Sequence, residues 1–118
     1  TPPLAARRHV VAEFAQALRA LGPANFIYAD SDALFAHGHR RTHAGGDIRP
    51  PGLHVLCRSC DAEASSFDTQ GLRIVPTPAA GAQALVASVP LTADAAWRPL
   101  AEGELLAFRA GRVEPLAR

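Results

Sequence analysis

The sequence predicts an α+β fold: one amphipathic helix followed by a mainly antiparallel sheet. Three observations carry this. One stretch near the start spaces its apolar residues at the helical period, and from Asn25 onward that period drops to two. The apolar runs after that point are short and separated by polar or Gly/Pro-rich turns. With 118 residues and 48% apolar content, the chain has room for one small domain with a core of its own. Charged residues make up 19% and the formal net charge is +1, which argues against a nucleic-acid arm, a polybasic membrane patch or an acidic tail. No apolar run approaches the roughly 20 residues of a membrane helix. Neither nucleic acid nor a membrane is therefore an expected partner.

The helix is predicted over residues 7–21. Val10, Val11, Phe14, Ala15, Leu18 and Leu21 form its apolar stripe, with Arg7, Arg8, Glu13, Gln16 and Arg19 largely off it. Gly22-Pro23 ends it, because proline cannot continue a helix and glycine suits the residue just past its end. Asn25 to Ala29 and Ala33 to His37 read as two strands joined by the Asp30-Ser31-Asp32 turn, where aspartate is favoured for its local hydrogen bonds. Residues 38–52 read as a surface loop bracketed by Gly45-Gly46 and Pro50-Pro51-Gly52. Leu53 to Cys57 is a third strand, 58–70 is polar and irregular, and Leu72 to Val75 is a short fourth strand. Gln83 to Val89 is nearly all apolar and is predicted to be central in the sheet. Thr92 is placed to cap one short helical turn holding Trp97, with Asp94 near its positive end. A terminal hairpin joins Glu104–Arg109 to Arg112-Val113 around Ala110-Gly111. One helix cannot cover five or six strands, so by burial alone the chain resembles half of a layered domain.

Several absences bound the chemistry. There is no Met, so Thr1 is not an initiator, and the expectation is a processed chain or a piece of something longer. There is no Lys, and all twelve basic residues are Arg, which excludes Schiff-base chemistry and a Walker-type phosphate loop. No secretory signal is visible at residues 1–6, and two cysteines are too few for a disulfide scaffold. These features point to a reducing, cytoplasmic compartment.

The conspicuous polar cluster is His37, His39, Arg40, Arg41 and His43, followed by His54, Cys57 and Cys60. Thiolate and imidazole suit zinc, so Cys57 and Cys60 with His39 and His54 form one candidate metal set. The alternative is a small buried Cys57 with an incidental Cys60 at a turn. His39, Arg40 and Arg41 are an anion-pocket candidate, or else a solvated strand end. Ser31, Ser59, Ser65, Ser66 and Ser88 lack any nucleophile-elbow setting, and Asp30 and Asp32 read as turn formers rather than general acids or bases. Trp97 reads as a packing residue that covers the sheet edge.

Two segments carry a resemblance. Asn25-Phe-Ile-Tyr-Ala-Asp30-Ser-Asp-Ala-Leu-Phe-Ala-His37 is one, and Val86-Ala-Ser-Val-Pro90-Leu91-Thr92-Ala-Asp94-Ala-Ala-Trp97 with Gly103-Glu104-Leu-Leu-Ala-Phe108 is the other. Together they resemble the class II glutamine amidotransferases, in particular a small bacterial stand-alone branch. Leu53-His54-Val-Leu aligns with a middle strand of that branch, and the resemblance spans nearly the whole chain. It implies a four-layer αββα sandwich of the N-terminal-nucleophile hydrolase kind, and hydrolysis of a glutamine or γ-glutamyl side-chain amide. The family's nucleophile is an N-terminal Cys whose own amine is the base. An early-strand Arg binds the substrate carboxylate, an Asn-Gly pair forms the oxyanion hole, and an Asp holds the substrate amine. None of those motifs is in this sequence: Asn25 is the only Asn and is followed by Phe26. Cys57 and Cys60 are interior and have no free amine. Thr1 is followed by Pro2-Pro3 and a helix where a strand would be needed.

The expectation is therefore that residues 1–118 are the C-terminal portion of a single such domain, inactive alone, with no catalytic, cofactor-binding or metal residue of its own. Its expected partner is the missing N-terminal half or a separate chain covering the sheet, with a glutamine-like small molecule as substrate of the intact parent. A non-catalytic pairing module and a zinc-binding module are the alternatives.

Overall fold

The computed structural model describes residues 2–58, 67–69, 72–74, 82–93 and 96–115. Helix α1 spans Leu4–Arg19. It starts three residues before the predicted boundary, because Pro3 sits at its N-cap, where a fixed φ suits entry into a helix and the missing N–H is no loss. It ends two residues early, with Ala20 and Leu21 bonding back to Gln16 and Leu18 in a closing turn.

Strands β1 (Phe26–Ala29) and β2 (Leu34–His37) form the predicted antiparallel hairpin, with Phe26 opposite His37 and Ala29 opposite Leu34. Two short strands, β3 (Arg41–Thr42) and β4 (Ile48–Arg49), then pair with each other inside the segment expected to be a loop. Strands β5 (His54–Arg58), β6 (Phe67–Thr69), β7 (Leu72–Ile74) and β8 (Gln83–Ala87) follow. The chain ends in β9 (Arg98–Pro99), β10 (Leu105–Arg109) and β11 (Arg112–Val113).

The main sheet has the order β1-β2-β10-β11, and a second sheet has the order β8-β5-β9, with all pairs antiparallel. β6 and β7 pair only with each other among the described residues. Among the described residues the strand predicted to be central, β8, is at an edge, and β5 is in the middle. Its apolar composition had suggested burial on both faces, yet every residue of β8 keeps partial exposure.

The period-two alternation sorts side chains into three layers of contact. Ala36, Leu106 and Phe108 of the main sheet meet Leu53 and Val55 of the β5 strand and its lead-in, together with Leu100. These residues fill the space between the sheets. On the opposite face of the main sheet, Ala33, Phe35 and Ala107 pack on Val11 of α1. On the far face of the second sheet, Leu56 and Trp97 pack with Leu85, Ala87 and Leu91. Phe35, Leu56 and Leu100 are almost fully buried, each contributing roughly 1.5–3 kcal/mol by removal from water. The described architecture is thus α+β, with a helix, a sheet and a second sheet in succession.

Residues 91–93 form bends, and Asp94 and Ala95, which the expected helical turn would include, lie outside the described residues. The Thr92 hydroxyl accepts the Trp97 indole N–H at 2.9 Å, so Thr92 tethers the indole. Trp97 covers a sheet face and not an edge. The Ala110-Gly111 turn has positive φ at both residues (51° and 75°), the requirement of a two-residue type I′ hairpin.

Candidate functional site

α1 presents far more apolar surface than the main sheet covers. Val11 and Ala15 are buried, but Val10 and Phe14 of the same stripe are 65% and 56% exposed. Alongside them runs β1, which is hydrogen-bonded on one side only, to β2, among the described residues. Its Ile27 and Tyr28 are about half exposed. Between helix and strand lies an open groove of about 820 Å³, lined by Ala6, Val10, Phe14, Leu18, Phe26 and Tyr28 among others. Phe14 meets Phe26 edge-on at 5.8 Å, and Tyr28 stacks on Phe35 at 6.1 Å, so the floor of the groove is aromatic. An apolar patch beside a strand edge is a type of surface that can pair with another polypeptide.

One rim of the groove is fixed by an ion-pair cluster. Asp30 accepts the backbone N–H groups of Asp32 and Ala33 with Oδ1, both at 2.8 Å, while Oδ2 accepts from Arg7 at 2.6 Å. The Ala33 and Asp32 amides, then the Arg7 guanidinium, hold its carboxyl down to about 2. Asp32 accepts from Arg109 at 2.7 Å and from Arg7 at 2.6 Å, and both cations lower its pKa. The two aspartates form the predicted turn, and in addition they fasten α1 and β10 to the hairpin. Sequence reasoning missed this because Arg7 and Arg109 lie 23 and 77 residues away from their partners.

The histidines do something else than expected. His37 and His39 are both buried at the end of the main sheet, so they are not a solvated strand end, and His39 and Arg40 both face the Glu102 carboxylate. The His37 Nδ1–H donates to the Ala24 carbonyl at 2.8 Å, and its Nε2 accepts from Arg19 at 2.8 Å. His39 Nδ1 accepts the Ala24 N–H at 3.1 Å. Burial pushes the pKa of both rings down. Arg40 is paired with Glu102, and Arg41 bonds only the Thr42 carbonyl among the contacts of its guanidinium. The buried His-x-His after an apolar strand was the available signal.

Of the candidate metal set, His39, His54 and Cys57 are described and Cys60 is not. His39 is spent on Ala24, His54 Nδ1–H donates to the Ser88 carbonyl, and Cys57 is a free, exposed thiol on β5 rather than a small core residue. Cys60, Thr1, Ser59, Ser65 and Ser66 lie outside the described residues. Among the described residues, no three His, Cys, Asp or Glu side chains converge to hold a metal. Asn25 is equally committed: its Oδ1 accepts the His39 N–H and its Nδ2 donates to the Arg40 carbonyl, both at 2.6 Å.

These geometries define a layered α+β protein with an exposed apolar groove between α1 and β1. The chain belongs to the class II glutamine amidotransferases, whose family model matches residues 2–118. No curated protein and no solved structure gives a match. Among the described residues, no helix is long and apolar enough to cross a membrane.

Proposed function

We propose that this chain is the distal, scaffolding portion of a class II glutamine amidotransferase-like amidohydrolase. The intact enzyme hydrolyses a glutamine or γ-glutamyl amide, and residues 1–118 contribute a helix and two sheets but not the nucleophile. The observation that carries this is the groove between α1 and the edge of β1 left uncovered among the described residues, in a member of a family for which the resemblance implies a four-layer sandwich. A further strand on β1, backed by more of the sandwich, would bury Val10, Phe14 and Tyr28 and supply the layers the described residues lack. The use of Asn25 as a backbone bracket supports the same reading, since the only Asn is unavailable for an oxyanion hole. A cytoplasmic location fits the exposed free thiol of Cys57, which a reducing compartment preserves.

The test is ammonia release from glutamine and from γ-glutamyl amides by the purified 118-residue chain. None is expected. Turnover that disappears on Thr1→Ala would overturn the proposal. The groove also favours a second reading, a non-catalytic module that pairs with a separate chain. Size measurement with a hydrophobic dye addresses the surface common to both: a clean monomer that binds no dye counts against either.

A further inference from the structure

The two buried histidines grip one residue, Ala24, through the peptide groups on either side of it. His37 Nδ1–H donates to the Ala24 carbonyl, and His39 Nδ1 accepts the Ala24 N–H. Ala24 lies in the connection between α1 and β1, so the pair fixes where the helix leaves off and the edge strand begins. This arrangement dictates both tautomers. In His37 the proton is on Nδ1, and the Nε2 lone pair accepts from Arg19 Nη1 at 2.8 Å. In His39 the proton is on Nε2, which points toward Glu102 Oε1 at 3.8 Å, and the Nδ1 lone pair is the acceptor. Each neutral ring has one lone pair, and each lone pair already accepts a hydrogen bond.

We infer that His37 and His39 form an acid-operated latch on the α1–β1 connection: a proton taken up by either ring displaces a hydrogen bond that holds Ala24 or Arg19 in place. On His37 the new proton arrives at Nε2, so two donors, the ring N–H and the Arg19 guanidinium, face each other and the helix end is pushed off. On His39 the proton arrives at Nδ1 and the Ala24 N–H loses its acceptor. The charged groups around the pair mostly oppose protonation. Arg19 from α1 acts on both rings, His39 acts on His37, and Arg40 acts on His39. Glu102 favours protonation of His39, and the Ala24 carbonyl favours that of His37. Around His37, the Phe26 ring is stacked at 5.2 Å from β1, and uncharged Leu105 of β10 lies opposite in register.

The sign follows from linkage. Both folded-state pKa values lie below the ordinary histidine value, so the unfolded chain binds more protons in this range. The latch is fully closed above about pH 6.5, and its contribution is lost as pH falls through the lowered values. The inference does not depend on any catalytic role.

Amide hydrogen exchange at Ala24 in the 118-residue chain, corrected for intrinsic rates, tests it from pH 7.5 down through the ring pKa values measured by NMR. Exchange should accelerate by at least about tenfold toward the acid end, the equivalent of one lost bond. Two variants keep the hydrogen-bonding capacity but cannot titrate: His37→Gln, whose amide can both donate and accept, and His39→Gln, whose carbonyl can accept. The double variant should show a flat profile over the same range. NMR titration of the imidazole carbons provides a second measurement that no fold defect in the variants can disturb. Lowered pKa values for both rings, with Ala24 opening in step, support the latch. Ordinary values, Ala24 protection unchanged below the measured ring pKa values, or an unaltered profile in a folded double variant would overturn it.

Discussion

Asn25 and Gly52 share one volume. A Cβ at position 52 would lie 1.8 Å from Asn25 Oδ1, so the carboxamide can bracket the His39 and Arg40 backbone only because residue 52 has no side chain. The start of β1 is thereby coupled to the approach to β5, which belongs to the other sheet. Asn25→Ala should cost about 2 kcal/mol, from the loss of two backbone partners. Gly52→Ala should cost about 2 kcal/mol through overpacking. Once Asn25 is truncated the clash is gone, so the double variant should be more stable than the two costs added together predict, by about 1 kcal/mol. Chemical denaturation of the four proteins closes the cycle, and strict additivity would refute the shared volume.

The hairpin at Ala110-Gly111 should respond in opposite directions at its two positions. Ala110 carries a Cβ at a φ of 51°, a strained region for most residues that asparagine tolerates better. Ala110→Asn should therefore stabilise by about 0.5–1 kcal/mol. Gly111→Ala should destabilise, because a Cβ there meets the Ala82 carbonyl oxygen at 2.0 Å as well as a φ of 75°. Thermal midpoints that move together in these two variants would contradict the turn geometry.

Acid should spare the ion-pair cluster until well below ordinary carboxylate values. Asp30 has its pKa lowered from 3.8 to about 2, so the folded state holds fewer protons there than the unfolded chain. Its stabilising effect is present above pH 3.8 and is lost as pH falls toward 2. Carboxyl titration by NMR should place Asp30 near 2, and Asp30→Asn should flatten the unfolding profile between pH 4 and 2. A titration at the normal position would show that the Ala33, Asp32 and Arg7 contacts are not formed.

Polar substitution in the groove should separate docking from folding. Val10 is 65% exposed and Ile27 is 51% exposed, so Val10→Glu with Ile27→Thr should shift stability by no more than about 0.5 kcal/mol per site. Binding of a hydrophobic dye should fall by more than half. A large loss of stability with dye binding intact would mean that these residues belong to the core.

The parts of the fold legible in the sequence are those set by near neighbours. Val11 and Ala15 define α1 through a four-residue step, and Asp30, Asp32 and Ala33 form a turn from within their own tetrapeptide. What escaped depends on distant partners. β9 is two residues long and is a strand only because Val55 pairs with Arg98. β3 and β4 are two residues each, too short for alternation to register, and are closed by the bond from the His43 N–H to the Asp47 carbonyl. The edge position of β8 is fixed by which strands flank β5, a fact of topology rather than of composition. At the candidate site, the apolar stripe of α1 was readable but its half-covered state was not, since coverage depends on which strands reach it. His37 and His39 were noticed as a pair, yet their common partner Ala24 lies 13 and 15 residues upstream, where no pattern in the chain points to it.

The placement of Trp97 gives the molecule a built-in optical probe. It is the only tryptophan, it is buried against Leu56 and Leu91, and it sits on the face of the second sheet turned away from α1. Its emission therefore reports from the side of the scaffold opposite the groove, with both sheets in between. A ligand or polypeptide seated on Phe14 and Tyr28 should leave the indole spectrum in place, whereas loosening of the β8-β5-β9 sheet should shift it to the red. Fluorescence of the unlabelled chain can thus tell occupancy of the groove from disturbance of the body that carries it.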